Sequence, residues 1–126
     1  MSAWRHISLW MNQLDDDLVP RPSLQAPWTS MWPSPAGYTG LWTAYYLKLR
    51  APQLKIAIVE AETAGFGASG RNGGWLMGNM LGEDRLLAGL SPEQRRASYD
   101  LLHDIPDEVA RVLDREGIDC DYRKAG

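Results

Sequence analysis

Ala36-Gly37-Tyr38-Thr39-Gly40 opens an apolar helical stretch, and the next apolar run, Ile56-Ala57-Ile58-Val59, ends at Glu60. Glycine turn, helix, strand and acid, in that order, make up most of a dinucleotide-binding βαβ unit. Gly37 and Gly40 let backbone approach a pyrophosphate closely and let the helix pack tightly on the sheet. The first helical turn supplies unpaired N–H groups and the positive end of the helix dipole to phosphate. Glu60 lies 20 positions beyond Gly40, where a carboxylate accepts hydrogen bonds from the hydroxyls of the adenine-side ribose. The fingerprint departs at one place: Pro35 stands where its first glycine is expected.

After the turn, Leu41 to Arg50 carries apolar residues on most faces, as for a helix buried against a sheet, and Pro52 stops it. Lys55 to Glu60 reads as the second strand. A βαβ unit without a ligand has the same outline, so the fingerprint alone leaves that alternative open.

Ahead of the turn the pattern breaks down. Ser8 to Leu14 suits a short helix or a strap, and Pro20-Arg21-Pro22 an extended connector. Ala26 to Pro35 stands where a central parallel strand belongs, yet Pro27, Pro33 and Pro35 each remove a ladder donor. Back-translation offers a cause. With Ser30 and Ser34 as TCN codons, reading starts at the third base of each codon. The pairs Pro27/Trp28, Thr29/Ser30 and Pro33/Ser34 then all encode apolar residues. Trp28/Thr29 encodes Asp, Met31/Trp32 Val and Trp32/Pro33 Ala, while Pro35/Ala36 admits glycine. The shifted reading resembles the missing first strand. Two explanations stand, a pair of compensating frame changes or a genuine Pro/Trp-rich loop, and both predict no regular strand over 26–35. A chain lacking that central strand is expected to be marginally stable.

Downstream of Glu60, Ala64-Gly65-Phe66-Gly67-Ala68-Ser69-Gly70-Arg71-Asn72-Gly73-Gly74-Trp75 is dense in glycine, which serves positive φ and close backbone approach to a ligand. A flexible lid is the plainer reading. Arg71 presents a fork of donors to phosphate or carboxylate, or is an ordinary solvated arginine.

On these residues the chain resembles the FAD-dependent amine and amino-acid oxidases of the D-amino-acid oxidase/glycine oxidase superfamily, and within it most of all the gamma-glutamylputrescine oxidoreductases. The resemblance covers roughly 36–126. It rests on Gly37-Tyr38-Thr39-Gly40-Leu41, Val59-Glu60-Ala61, the run Gly65 to Gly74, and Ile118 to Arg123. It implies an α/β, Rossmann-like FAD-binding βαβ unit followed by helices. By the same resemblance Gly37 and Gly40 contact the pyrophosphate and Glu60 the ribose, while Ala68, Ser69, Arg71, Asn72 and Gly73 line the pyrophosphate and flavin side. The implied reaction oxidises a C–N bond of an amine or amino acid, with no catalytic residue assigned within this chain. The expected organisation is a leader with the Pro/Trp segment (1–35), a βαβ remnant with its glycine loop (36–78), and a helical segment (79–126) that begins the rest of an oxidoreductase, the chain being an N-terminal fragment inactive alone. Rival readings are a small NAD-binding protein, which the glycine loop after Glu60 disfavours, and a non-catalytic remnant or interaction module.

Composition is compatible with this class. The chain has 126 residues, 44% hydrophobic and 23% charged, as in a globular domain. A net charge of −3 and a pI near 5.3 argue against a nucleic-acid surface. Cys120 is the single cysteine, which precludes an internal disulfide and favours a reducing, cytoplasmic setting. Asp15-Asp16-Asp17 does not suit a signal peptide, and no run reaches membrane-spanning length. His6 and His103 have no ligand partners at metal spacing, so no metal site is expected. In the last third, Ser91-Pro92-Glu93-Gln94 is a capping box, and Tyr99, Leu102, Ile105, Val109, Val112 and Leu113 form one apolar stripe. Pro106 is expected to kink or split that helix, with Asp104 capping the second half and Gly117 ending it.

Overall fold

The computed structural model describes residues 6–15, 19, 21–23, 25 and 31–124. The chain divides into two compact units, Met1–Gly73 and Gly74–Gly126.

The first unit holds a short helix α1 (Leu9–Asn12), strand β1 (Trp32–Pro35), helix α2 (Tyr38–Arg50) and strand β2 (Ile56–Val59). The Ser8 hydroxyl caps α1 by accepting from the Met11 N–H at 3.2 Å, so the expected short helix forms. β1 and β2 run parallel, with Trp32 opposite Ile56 and Pro35 opposite Val59. The helix between them completes a βαβ unit, and the α/β class read from the sequence holds.

The expectation of no strand in 26–35 is corrected over its last four residues; 26–30 lie outside the described residues. The reason is which way each peptide faces. Trp32 N–H donates to Lys55 O at 2.9 Å, and in a parallel ladder alternate residues bond the same neighbour. Trp32 and Ser34 therefore serve the β2 side, while Pro33 and Pro35, which have no N–H to give, face the outer edge. No strand lies along that edge among the described residues. Proline is compatible with a strand whose donorless side is open.

The turn from β1 to α2 takes two residues, Ala36 and Gly37, with Pro35 as the last strand residue. Its φ is not positive, so glycine is not required there. Gly40 is required. A Cβ on it would lie 1.9 Å from Pro35 O, and the buried Ser34 hydroxyl donates to Gly40 O at 2.7 Å. Helix and strand thus touch backbone to backbone. Of α2 only Gly40 and Ala44 are buried, whereas Leu41, Leu47 and Leu49 are exposed. A two-stranded sheet covers one stripe of a helix, less than the all-round burial its composition suggests. Trp42 stacks on Tyr46 at 5.7 Å, with Tyr45 edge-on to both, so these aromatics cover one another. Lys48 Nζ, donating to Pro52 O and Leu54 O, holds the chain where Pro52 ends the helix.

The second unit contains α3 (Glu83–Leu87) and α4 (Pro92–Glu116). The Ser91–Gln94 capping box forms in both directions, and Gly117 ends α4 at φ 64°. Val112 is buried and Tyr99, Leu102, Val109 and Leu113 half-buried, as the stripe predicts, while Ile105 is exposed. The expected split at Pro106 does not occur, and Asp104 is not a cap. Its carboxylate accepts from Arg111 at 2.7 Å, and Arg111 also bonds Glu108 at 2.9 Å, tying the turns on either side of the proline. Asp104 and Glu108 hold the Arg111 guanidinium above its ordinary pKa. The tail folds back here too: Tyr122 OH donates to Pro106 O at 3.2 Å, and Lys124 pairs with Asp107. Tyr99 OH donates to Asp84 at 2.6 Å, which raises the phenol above its usual pKa.

Candidate functional site: the N-terminus of helix α2

The first helical turn of α2 leaves three N–H groups without intrahelical partners, those of Tyr38, Thr39 and Gly40, because Leu41 N–H makes the first such bond, to Gly37 O. Tyr38 N–H donates to the Ser69 hydroxyl at 2.9 Å. Those of Thr39 and Gly40 have no partner among the described residues. Gly37, the N-cap, lies so close to Ser69 that a Cβ would stand 3.3 Å from its Oγ. Two fingerprint glycines thus do different work: Gly37 admits the loop to the helix end, and Gly40 admits the helix to the strand.

The glycine loop bends onto this end from β2. Gly65, at φ 73°, donates its N–H to Ala36 O at 2.9 Å, and a 3-10 turn over Ala68–Gly70 presents Ser69. A Cβ on Gly70 would meet Gly65 O at 2.2 Å, so the loop closes on itself only with glycine there. Asn72 Nδ2 donates to Ser69 O at 2.5 Å and to Tyr38 OH at 3.1 Å, linking loop and helix again.

The sequence-derived site residues are distributed unevenly. Gly37, Ser69 and Asn72 meet around Tyr38. Arg71 is engaged inside the loop, its Nε donating to Phe66 O at 2.9 Å and its guanidinium lying 4.8 Å from the Phe66 ring centroid. Ala68 and Gly73 are exposed, and a Cβ on Gly73 would meet nothing. Glu60 is exposed at the end of β2, where its Oε1 accepts from Ala61 N–H at 2.9 Å and Glu62 N–H at 3.4 Å. Its other oxygen has no partner among the described residues. Three residues of this region escaped the sequence reading: Tyr38 through its hydroxyl, Trp10, whose Nε1 donates to Asn72 O at 2.8 Å, and Met11, buried against the loop glycines. The sequence over Ser8 to Leu14 suits a short helix or a strap, but nothing local reveals its target.

The donor set suits a diphosphate. Two unpaired N–H groups at a helix N-terminus attract anionic oxygen. Ser69 accepts from Tyr38 and so keeps its hydroxyl proton available for a further acceptor. The residues present therefore fit the adenosine-diphosphate portion of a dinucleotide. Among the described residues no group of His, Cys, Asp or Glu is arranged to hold a metal ion, and no helix is long and apolar enough to cross a membrane.

The FAD-dependent oxidoreductase family matches residues 36–126, and the chain belongs to that family. It is similar to the gamma-glutamylputrescine oxidoreductase of Escherichia coli (strain K12), with 34% identity over 91 residues, which make up 71% of this chain and 21% of that enzyme. The chain thus spans about a fifth of that relative's length. No solved structure matches it.

Proposed function

We propose that this chain supplies the adenosine-diphosphate side of an FAD site in an enzyme that oxidises the C–N bond of a small amine or amino acid. The observation that carries the reading is the α2 N-terminus, where the Thr39 and Gly40 N–H groups have no partner among the described residues and the Ser69 hydroxyl sits on the Tyr38 N–H. These groups receive the pyrophosphate, and Glu60 accepts from the ribose. FAD, when bound, would supply the two-electron acceptor for oxidation of the substrate C–N bond to an imine, which water would hydrolyse. What this chain's residues do is bind and orient. Arg71, tied to Phe66 through its Nε, stiffens the loop. Family resemblance supports an amine substrate, since the E. coli relative is named for gamma-glutamylputrescine.

Tyr38, Thr39 and Glu60 are solvent-exposed, so the purified chain is expected to retain little flavin and to bind added FAD weakly. Titration followed by flavin fluorescence tests this, with ADP as competitor. Glu60→Gln should weaken binding by about 1–3 kcal/mol, the scale of a hydrogen bond to a charged group. Placing the shifted-frame sequence over 26–35, with glycine at 35, should strengthen it. No response to FAD or ADP in either form would favour the remnant without a cofactor, and a preference for NADH over FAD the small NAD-binding protein.

A further inference from the structure

Helix α1 lies outside the segment that matches the family, yet two of its residues are bound to the cofactor loop. Trp10 Nε1 donates to Asn72 O at 2.8 Å across 62 positions of sequence. Met11 is 5% exposed, and its Cε lies 3.3 Å from where a Cβ on Gly70 would stand and 3.9 Å from the same point on Gly65. Met11 therefore fills the space that glycine leaves on the back of the loop. Asn72 is the residue that bonds both Ser69 O and Tyr38 OH, and Gly70 adjoins Ser69. Both anchors act one bond away from the Ser69–Tyr38 contact.

We propose that α1 is a positioning clip: Trp10 and Met11 hold the loop of residues 65–72 so that the Ser69 hydroxyl stays on the N-terminus of α2. Two properties of the contact argue for a role beyond general packing. The Trp10 bond is made by an exposed side chain to a loop carbonyl, a contact that buries little surface but fixes one peptide plane. The methionine, unbranched and able to follow an irregular backbone, meets a surface made of glycine Cα and peptide groups. Its single well-buried side chain lies under the loop, and α1 itself, four residues long, has no other buried residue.

The effect on FAD rests on the site proposed above, while the loop's own order does not, so the two are measured separately in the full chain. Amide exchange without cofactor reads the clip at Gly65, Gly70 and Tyr38, whose N–H groups bond Ala36 O, Gly67 O and Ser69 Oγ. Trp10→Phe keeps the ring and removes the donor, and should speed exchange at these amides about fivefold, the loss of one hydrogen bond. Met11→Ala should speed it at least about tenfold, with Met11→Leu restoring most of the protection. Amides in the middle of α2, from Tyr45 to Leu49, should keep their rates and so report that the unit is still folded. FAD titration of the same variants should show affinity falling by a similar factor. Loosened loop amides with no FAD response in any form, wild type included, support the clip and count against the proposed cofactor site. Unchanged exchange at Gly65, Gly70 and Tyr38 in both Trp10→Phe and Met11→Ala overturns the clip. So does a general rise in exchange through α2 that Met11→Leu does not reverse.

Discussion

Strand β1 and helix α4 both carry proline inside regular structure, and they accommodate it by opposite means. In β1 the missing donors fall on the side where no strand lies among the described residues, because Pro33 and Pro35 face the outer edge while Trp32 and Ser34 face β2. No repair is needed. In α4 the missing N–H of Pro106 falls inside the helical ladder, where the Leu102 carbonyl loses its donor. There the structure adds side-chain support: Arg111 reaches back across the proline to Asp104 and also bonds Glu108, Tyr122 donates to Pro106 O, and Lys124 bonds Asp107. A strand uses each residue's backbone groups on one side only, so proline can be silent at every second position. A helix interior has no such free direction.

The largest test of this contrast is Gly40→Ala. If β1 lies on α2 as described, the new Cβ meets Pro35 O and the helix and strand must separate, at about 3 kcal/mol. A denaturant midpoint that hardly moves would mean that 32–35 does not hold this position. Next comes a pair of exchanges within β1. Trp32→Pro removes the paired-side donor to Lys55 O and strands that carbonyl, which should lower stability by about 1–3 kcal/mol. Pro33→Val, on the open side, should stay within about 0.5 kcal/mol. Equal effects at the two positions would erase the distinction between the edges. In α4, Pro106→Ala restores the bond to Leu102 O and is expected to stabilise by about 1 kcal/mol, raising the thermal midpoint.

The smallest expected effect is electrostatic. Hydrogen bonding and attraction from Lys124 hold the Asp107 carboxyl below its ordinary pKa. A carboxyl lowered by folding stabilises fully above its unfolded pKa, and the contribution disappears as pH falls through the folded value. Asp107→Asn should therefore narrow the difference between stability at neutral pH and in acid, read as urea midpoints at the two ends. Both side chains are well exposed, so the change will be slight. An acid limb of unchanged depth would show that the pair contributes nothing.

Much of the fold was legible in the sequence because it is written in local rules. The glycine pair, the stop at Pro52, the Ser91 capping box and the Gly117 cap each follow from a few adjacent residues. β1 was not legible, since counting its prolines gives the number of lost donors and not their direction, which depends on the partner strand. The Pro106 helix escaped for a related reason: its supports, Arg111, Tyr122 and Lys124, lie downstream and act through the fold. At the site, spacing found Gly37, Gly40 and Glu60, and resemblance found Ser69 and Asn72. Neither points to Trp10 or Met11, because the glycine surface they rest on exists only once residues 65–72 have closed on themselves.

The outer edge of β1 has a further consequence. Its two outward peptides offer carbonyl oxygen and no N–H, so a strand laid beside it finds acceptors and no donors. Fibril growth by strand addition needs a template that both gives and receives at each step. Among the described residues this sheet offers a two-way edge along β2 alone, so two copies joined there would leave proline edges at both ends, and strand addition would stop at a pair.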